Sequence, residues 1–261
     1  MKASVVTPNY NGKEFLKTYF DSLNRNKDFV GEVILVDNGS TDESIEFIKD
    51  YSSNLDFPVI IIRNAENLGF AKAVNQGILK SSNPYIFSLN NDTQVEEFGI
   101  KPLIDLISSD DSIFSVASKM VQFDNKNLID DAGDEYNILA WTKKTGENQP
   151  AENYDEVYEI FSSCAGAAMY NKAILDKIGL FDENFFAYME DVDLSYRAKI
   201  NGYKNLFCPD SVVYHIGSAT SGSRYNKFKV KLAARNNVWM VYKNFPVPQK
   251  ILNFIFLFLG F

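Results

Sequence analysis

Four short apolar runs, ASVVTP, EVILVDNG, VIIIRN and YIFSLNND, recur through the first 92 residues, and the segments between them carry helix-like spacing. Helices are expected near 13 to 25, 42 to 53 and 70 to 80. Strands that alternate with helices in this way predict an α/β fold, with a mostly parallel central sheet and helices on its faces. The runs are almost continuously apolar rather than alternating, as strands are when both sheet faces are covered.

The polar residues gather where these runs end. In open α/β sheets the crevice outside the carboxyl ends of the strands is the usual ligand site, so Asn9, Asp37, Asn64 and Asp92 are expected to converge there. VDNGSTDES admits two readings. Ser40 and Glu43 have capping-box spacing and Asn38 with Gly39 suits a tight turn, whereas Asp37 is placed to accept hydrogen bonds from a nucleobase or ribose. In ENLGFAKAVNQGI, Gly69 either starts a helix or lets backbone approach a ligand closely. SLNNDTQV sets Asn90, Asn91 and Asp92 in sequence, a polar turn or an oxygen cluster suited to Mg2+ or Mn2+. One carboxylate is too few for a protein-only cage, and a diphosphate would supply the missing oxygens. His215, the sole histidine, follows Val212 and Val213 near a strand end; alone it reads as a packed or surface residue as readily as a ligand.

Residues 124 to 158 are polar and irregular, a long excursion of the kind that forms lids or specificity elements. SSCAGAAMY then restores apolar order, followed by a helix near 171 to 178, strands around 205 to 214 and a long helix from about 225 to 243. In FFAYMEDVDLSYR three carboxylates, Glu190, Asp191 and Asp193, stand within four residues behind an aromatic run. All three serve as N-terminal helix charges in the plainest reading, with Asp193 four residues before Arg197 at ion-pair spacing.

With 34 acids against 26 bases the net charge is −8, which repels a polynucleotide backbone, so no nucleic-acid partner is expected. The two cysteines, Cys164 and Cys208, lack metal or redox spacing and fit a reducing compartment. MKASVVTPNYN has no apolar stretch of signal-peptide length, and cytoplasmic placement is expected. ILNFIFLFLGF, residues 251 to 261, is almost wholly apolar yet too short to span a bilayer; it reads as a packed final helix, as peripheral membrane contact or as a truncated hydrophobic region.

Taken together and in order, TPNYNG, VDNGSTDES, NLGFAKAVNQGI, SLNND, SCAGAAMY, GLFDENFFAYMEDVDLSYR, YHIGSATS and the RNN of 235 to 237 resemble the family 2 inverting glycosyltransferases of the GT-A fold, in particular their bacterial rhamnosyltransferase-like branch. The resemblance covers roughly residues 3 to 240. It implies a glycosyltransferase domain over 1–245, with a nucleotide-binding half (1–123), an acceptor-binding and catalytic half (124–245) and an apolar tail (246–261). By this resemblance Pro8, Asn9, Tyr10, Asp37, Asn67, Gly69 and Phe70 hold the nucleoside. Asn90, Asn91 and Asp92 match the DxD-type segment, with Asn90 in place of the usual first aspartate. Asp92 and His215 are then the metal ligands, Arg235 meets the diphosphate or acceptor, Asp191 is the general base and Glu190 its neighbour. The implied cofactor is Mg2+ or Mn2+, and the implied donor a dTDP or UDP sugar, with rhamnose a candidate. A saccharide or lipid-linked saccharide acceptor at the inner face of the cell membrane, in surface polysaccharide synthesis, completes the expectation. Phe185, Phe186, Tyr188 and Trp141 are candidates to stack on sugar rings.

Two rivals differ in what they require. A sugar nucleotidyltransferase needs a glycine-rich loop after the first strand, which TPNYNGKEF does not supply. A non-catalytic nucleotide-sugar-binding scaffold has no need of the acids, yet Asp92, Glu190 and Asp191 are all present.

Overall fold

The computed structural model describes residues 1–137, 140–216, 227–252 and 254. The first half reads, in chain order, β1 (Ala3–Asn9), α1 (Lys13–Asn24), β2 (Val30–Asp37), α2 (Ser44–Tyr51), β3 (Val59–Arg63), α3 (Phe70–Lys80) and β4 (Tyr85–Leu89). There follow β5 (Thr93–Val95), α4 (Ile100–Ile107), β6 (Ile113–Gln122), β7 (Ile129–Asp131), β8 (Asp134–Tyr136), β9 (Thr142–Lys144), β10 (Tyr158–Ile160), β11 (Ala167–Asn171) and α5 (Lys172–Ile178). The chain continues through α6 (Glu190–Ile200), β12 (Lys204–His215), α7 (Lys227–Asn244) and α8 (Val247–Leu252).

The main sheet runs β10-β12-β6-β11-β4-β1-β2-β3, with β5 on β12 and β7 on β6. β1, β2, β3 and β4 are mutually parallel, as their helical connections demand. β11 enters antiparallel between β4 and β6, so the second half of the sheet is mixed. From β1 the chain steps outward through β2 and β3, then returns along α3 to place β4 on the other side of β1. β1 and β4 thus flank a topological switch point, where a crevice opens at the strand ends.

Successive residues of the inner strands feed opposite faces. Val5, Val33 and Leu35 pack with Leu16, Tyr19, Phe20 and Leu23 of α1 and with α4. Val6, Ile34 and Val36 pack with Ala71, Val74 and Ile78 of α3 and with Leu194 and Ala198 of α6. Burial on both sides is what the unbroken apolar runs encode. Each fully buried large side chain, Phe20 or Phe87 for example, stabilises the fold by roughly 1.5–3 kcal/mol relative to exposure.

Residues 124 to 158 are more ordered than their composition suggests. β7 pairs with the far end of β6, beyond β11, and β8 pairs with β9 as a separate hairpin, with Asp134 opposite Lys144. Gly133, at φ 95, makes the turn between β7 and β8, and Asp131 Oδ1 accepts its N–H at 2.8 Å. The capping box expected at Ser40 and Glu43 does not form: α2 starts at Ser44, whose N–H and hydroxyl both donate to Asp42 Oδ1. Ser40 Oγ instead accepts from Asn9 Nδ2 at 3.1 Å and from the Asn11 N–H at 2.9 Å.

Candidate active site

The strand ends converge through a network of amides. Asn9, closing β1, donates Nδ2 to Asp37 Oδ1 at 3.0 Å, and its Oδ1 accepts Asn91 Nδ2 at 2.7 Å. One buried side chain therefore ties the end of β1 to those of β2 and β4. Asp37 is fully buried, and its Oδ2 accepts the Ser40 N–H at 3.1 Å. Pro8 pairs with Val36 inside the sheet, and Tyr10 lies exposed just beyond β1. Asn67 Oδ1 accepts the Gly69 N–H at 2.9 Å, shaping the turn into α3. At φ 89, Gly69 holds a conformation that side chains resist, and an added Cβ would lie 2.6 Å from Phe186 Cδ2 and the Phe186 carbonyl oxygen. Phe70 and Ala71 donate their N–H groups to that same carbonyl at 2.6 and 3.3 Å, so the first turn of α3 is capped by the loop that leads into α6.

Asp92 and His215 meet across paired strands. β5 runs antiparallel to β12 with Thr93 opposite His215, which brings His215 Nε2 to 3.6 Å from Asp92 Oδ1. The other ring nitrogen, Nδ1, lies 2.7 Å from Asp130 Oδ2, and this bond fixes the ring so that Nε2 faces Asp92. Burial works against a charged imidazole, but Asp130 and Asp92 outweigh it and raise His215 to about 9. Asp92 Oδ1 is buried and has no hydrogen-bond partner. Two ligand atoms bound side by side to one Mg2+ or Mn2+ stand roughly 3 to 3.5 Å apart, so this carboxylate oxygen and the imidazole nitrogen at 3.6 Å suit such an ion once it displaces the Nε2 proton. Among the described residues no group of three such side chains is gathered for a metal. The pair fits an ion whose remaining ligands arrive with a diphosphate.

Asp191 lies on the same rim. The Asn90 N–H donates to the Gly166 carbonyl at 2.9 Å, and the adjacent Ala165 N–H donates to Asp191 Oδ2 at 3.3 Å. The turn at 165–166 thus joins the end of β4 to the first turn of α6. On the other side Lys144 Nζ stands 3.6 Å from Asp130 Oδ1 and 3.5 Å from Asp131 Oδ2. Burial opposes the charge of Lys144, but Asp131 and Asp130 outweigh it and keep the lysine protonated. Burial pushes Asp191 above the ordinary carboxylate value, against the pull of the Ala165 and Val192 N–H groups. Asp134 is pushed much further by burial and by Asp131 and Asp191.

The three carboxylates of α6 have separate fates. Asp191 is partly exposed at the rim. Glu190 is buried, its Oε2 has no hydrogen-bond partner, and burial followed by the charge of Asp191 raises it well above the ordinary range. Asp193 is fully buried and structural: it accepts from Arg197 Nε at 2.9 Å, Lys243 Nζ at 3.0 Å and Asn244 Nδ2 at 2.7 Å, fastening α7 to α6. Arg235 donates Nη2 to the carbonyls of Asn184 at 2.8 Å and Phe185 at 3.0 Å, which places it beneath the loop before α6. Of the candidate stacking residues, Trp141 and Tyr188 are exposed and Phe186 is half-buried against Gly69, but Phe185 is fully buried in the core. Asp130, Asp131, Asp134 and Lys144 were not among the sequence candidates, although DDAGD sets three acids within five residues of the excursion.

An open α/β sheet with amide-linked strand ends at its switch point, an aspartate–histidine pair beside them and a carboxylate on the adjoining helix defines a GT-A type of molecule. The solved structures agree. GalNAc-T7 crystallised with UDP, GalNAc and Mn2+ superposes with a TM-score of 0.76 at 21% identity, over 93% of this chain and 48% of that one. The mannosyltransferase PcManGT of Pyrobaculum calidifontis, in complex with GDP-Man and Mn2+, gives 0.67 at 16% identity, over 95% and 66%. The profile of Glycosyl transferase family 2 matches residues 4–179, and the chain belongs to that family. Among curated relatives, the N-acetylglucosaminyl-diphospho-decaprenol L-rhamnosyltransferase of Mycobacterium tuberculosis is 23% identical over 90% of this chain and 85% of its own length. The uncharacterized glycosyltransferase YfnE of Bacillus subtilis is 43% identical over 79 residues, 30% of this chain. The chain spans 20% of YfnE and about half of GalNAc-T7.

Proposed function

We propose that the protein transfers a sugar from a nucleoside-diphosphate sugar to a hydroxyl of a saccharide or lipid-linked saccharide, with inversion at the anomeric carbon and with Mg2+ or Mn2+ as cofactor. The observation that carries this reading is a link between the two groups: the turn at 165–166 joins the end of β4, where the buried Asp92 oxygen faces His215 Nε2, to the Asp191 carboxylate at the start of α6. The UDP, GDP-Man and Mn2+ named with the structural relatives, and the lipid-linked acceptor in the name of the mycobacterial relative, support the same assignment of substrates.

When bound, the cation would neutralise charge growing on the departing diphosphate. Asp92 and His215 would hold it, and Asp130 keeps the imidazole turned towards Asp92. Asn9, Asp37, Asn67 and Gly69 shape the wall on which the nucleoside lies. Asp191 accepts the proton of the acceptor hydroxyl as its oxygen bonds to the anomeric carbon, on the face opposite the carbon–oxygen bond that breaks. The electron pair of that bond leaves with the diphosphate. A base held above the ordinary aspartate range is better matched to this work than a free aspartate, whose pKa is about 3.9.

Among the described residues no helix is long and apolar enough to cross a membrane, and most of the apolar stretch 251 to 261 lies outside them. A lipid-linked acceptor would call for peripheral contact with the inner membrane face. A panel of nucleoside diphosphates and their sugars, of the UDP, dTDP and GDP types, with and without Mn2+, tests the donor by thermal shift. Radiolabelled transfer into membrane extract then tests the reaction. Pyrophosphate release from a sugar phosphate and a nucleoside triphosphate would point instead to a nucleotidyltransferase.

A further inference from the structure

The loop that delivers Asp191 is bent against its own backbone preferences. Phe186 sits at φ 64, ψ −64, and the Ala187 N–H donates to the Phe185 carbonyl at 2.8 Å, which makes a γ-turn of the rare positive-φ kind. Tyr188 and Met189 follow at φ 69 and φ 74. None of these residues is a glycine, asparagine or aspartate. Side chains remain in such conformations only where their surroundings over-determine them.

The surroundings are supplied by α7. Asn236 is fully buried, and its Nδ2 lies 2.9, 2.8 and 2.7 Å from the carbonyls of Phe185, Ala187 and Tyr188, which its two N–H groups serve between them, one of them shared. Its Oδ1 accepts from Arg235 Nε at 3.0 Å and Nη2 at 2.7 Å, which orients the amide so that its N–H groups face the loop. The remaining carbonyl, that of Phe186, points the other way and accepts the first N–H groups of α3. One side chain therefore fixes a loop whose two ends serve the two halves of the site.

We propose that Asn236 is a positioning residue for sugar transfer: it holds residues 185–189 in the single shape that both caps α3 on the donor side and starts α6 with Asp191 against the 165–166 turn. In this role it touches neither substrate, and it rests on the assignment of Asp191 to the reaction. Asn236→Ala, and the equal-sized Asn236→Asp that sets an oxygen against three carbonyls, should each lower kcat by about 100-fold, the scale of a small misplacement of reacting groups. The donor KM should rise far less than kcat falls, since the Asn9–Asp37–Asn91 network is untouched and only the cap of α3 is loosened.

The strain supplies a rescue that a merely structural role would not. Tyr188→Gly takes φ 69 without penalty, so in that background Asn236→Ala should cost about tenfold less in kcat than it does in the native chain. Hydrogen exchange gives a readout independent of any sugar: the amides of Phe70, Ala71, Ala187 and Asp193 should exchange faster in Asn236→Ala while those of β1 do not change. Arg235→Lys, which loosens the Oδ1 side and the bonds to the Asn184 and Phe185 carbonyls but leaves the Asn236 amide in place, should move the same amides less, and serves if the Asn236 variants fold poorly. Additive kcat losses in the double variant, or unaltered exchange at those four amides in every variant, would overturn the proposal. A native protein without transfer activity would remove the reading of function, and exchange would still decide whether Asn236 holds the loop.

Discussion

His215 Nε2 stands 3.6 Å from Asp92 Oδ1, aimed there by the bond between its Nδ1 and Asp130. Two protein ligands are too few to retain a divalent ion alone, so cation and diphosphate should bind together. The melting temperature should rise more with Mn2+ and UDP combined than the sum of the separate rises. Asp92→Asn or His215→Ala should abolish that excess while leaving the melting temperature of the unliganded protein within a few degrees. An undiminished excess in both variants would separate these residues from the metal.

Asp191→Asn preserves shape and removes the base. Turnover should fall by about 10²–10⁴-fold, the usual contribution of a positioned general base, with the Kd for the donor nucleotide changed by no more than a few fold. Because burial raises Asp191, the acid limb of kcat in the native enzyme should lie above the ordinary carboxylate range, with activity falling as pH drops and the base is protonated. A pH–rate profile and nucleotide titration check both parts.

Glu190 links stability to pH. Its folded pKa is raised well above the ordinary 4.5, so its contribution to stability is fully present below the unfolded value and is lost as pH rises through the folded one. Glu190→Gln, neutral at every pH, should melt higher than the native protein near pH 8, and the margin should shrink towards pH 4. A margin that is constant or reversed would mean that the carboxyl is ionised in the fold.

Gly69→Ala tests the junction between α3 and the loop before α6. The new Cβ meets Phe186 at 2.6 Å from a backbone held at φ 89, and both effects are unfavourable. A loss of about 1–3 kcal/mol in denaturant unfolding is expected, with a raised donor KM.

The parallel half of the fold was legible because covered strands leave unbroken apolar runs and their polar ends mark the crevice. Asn9, Asp37, Asn64 and Asp92 are expected at one edge on that pattern alone, and the structure ties Asn9 by hydrogen bonds to Asp37 and to Asn91, the neighbour of Asp92. The second half was harder to read. β11 runs antiparallel between two strands, and its five residues say nothing of direction. The bond from Asp130 to His215 spans 85 positions, and those from Asn236 to the loop about 50, so no local periodicity announces them. Lys144 reads as an exposed loop charge until β8 and β9 pair and turn it towards three aspartates.

A crystal grown with Mn2+ and a nucleoside-diphosphate sugar, measured at the manganese edge, would locate the ion and the anomeric carbon together. The anomalous peak is expected about 2 Å from both Asp92 Oδ1 and His215 Nε2, with the sugar between it and Asp191. Manganese bound elsewhere, or an anomeric carbon whose open face is turned away from Asp191, would contradict the assignment of metal and base to one pocket.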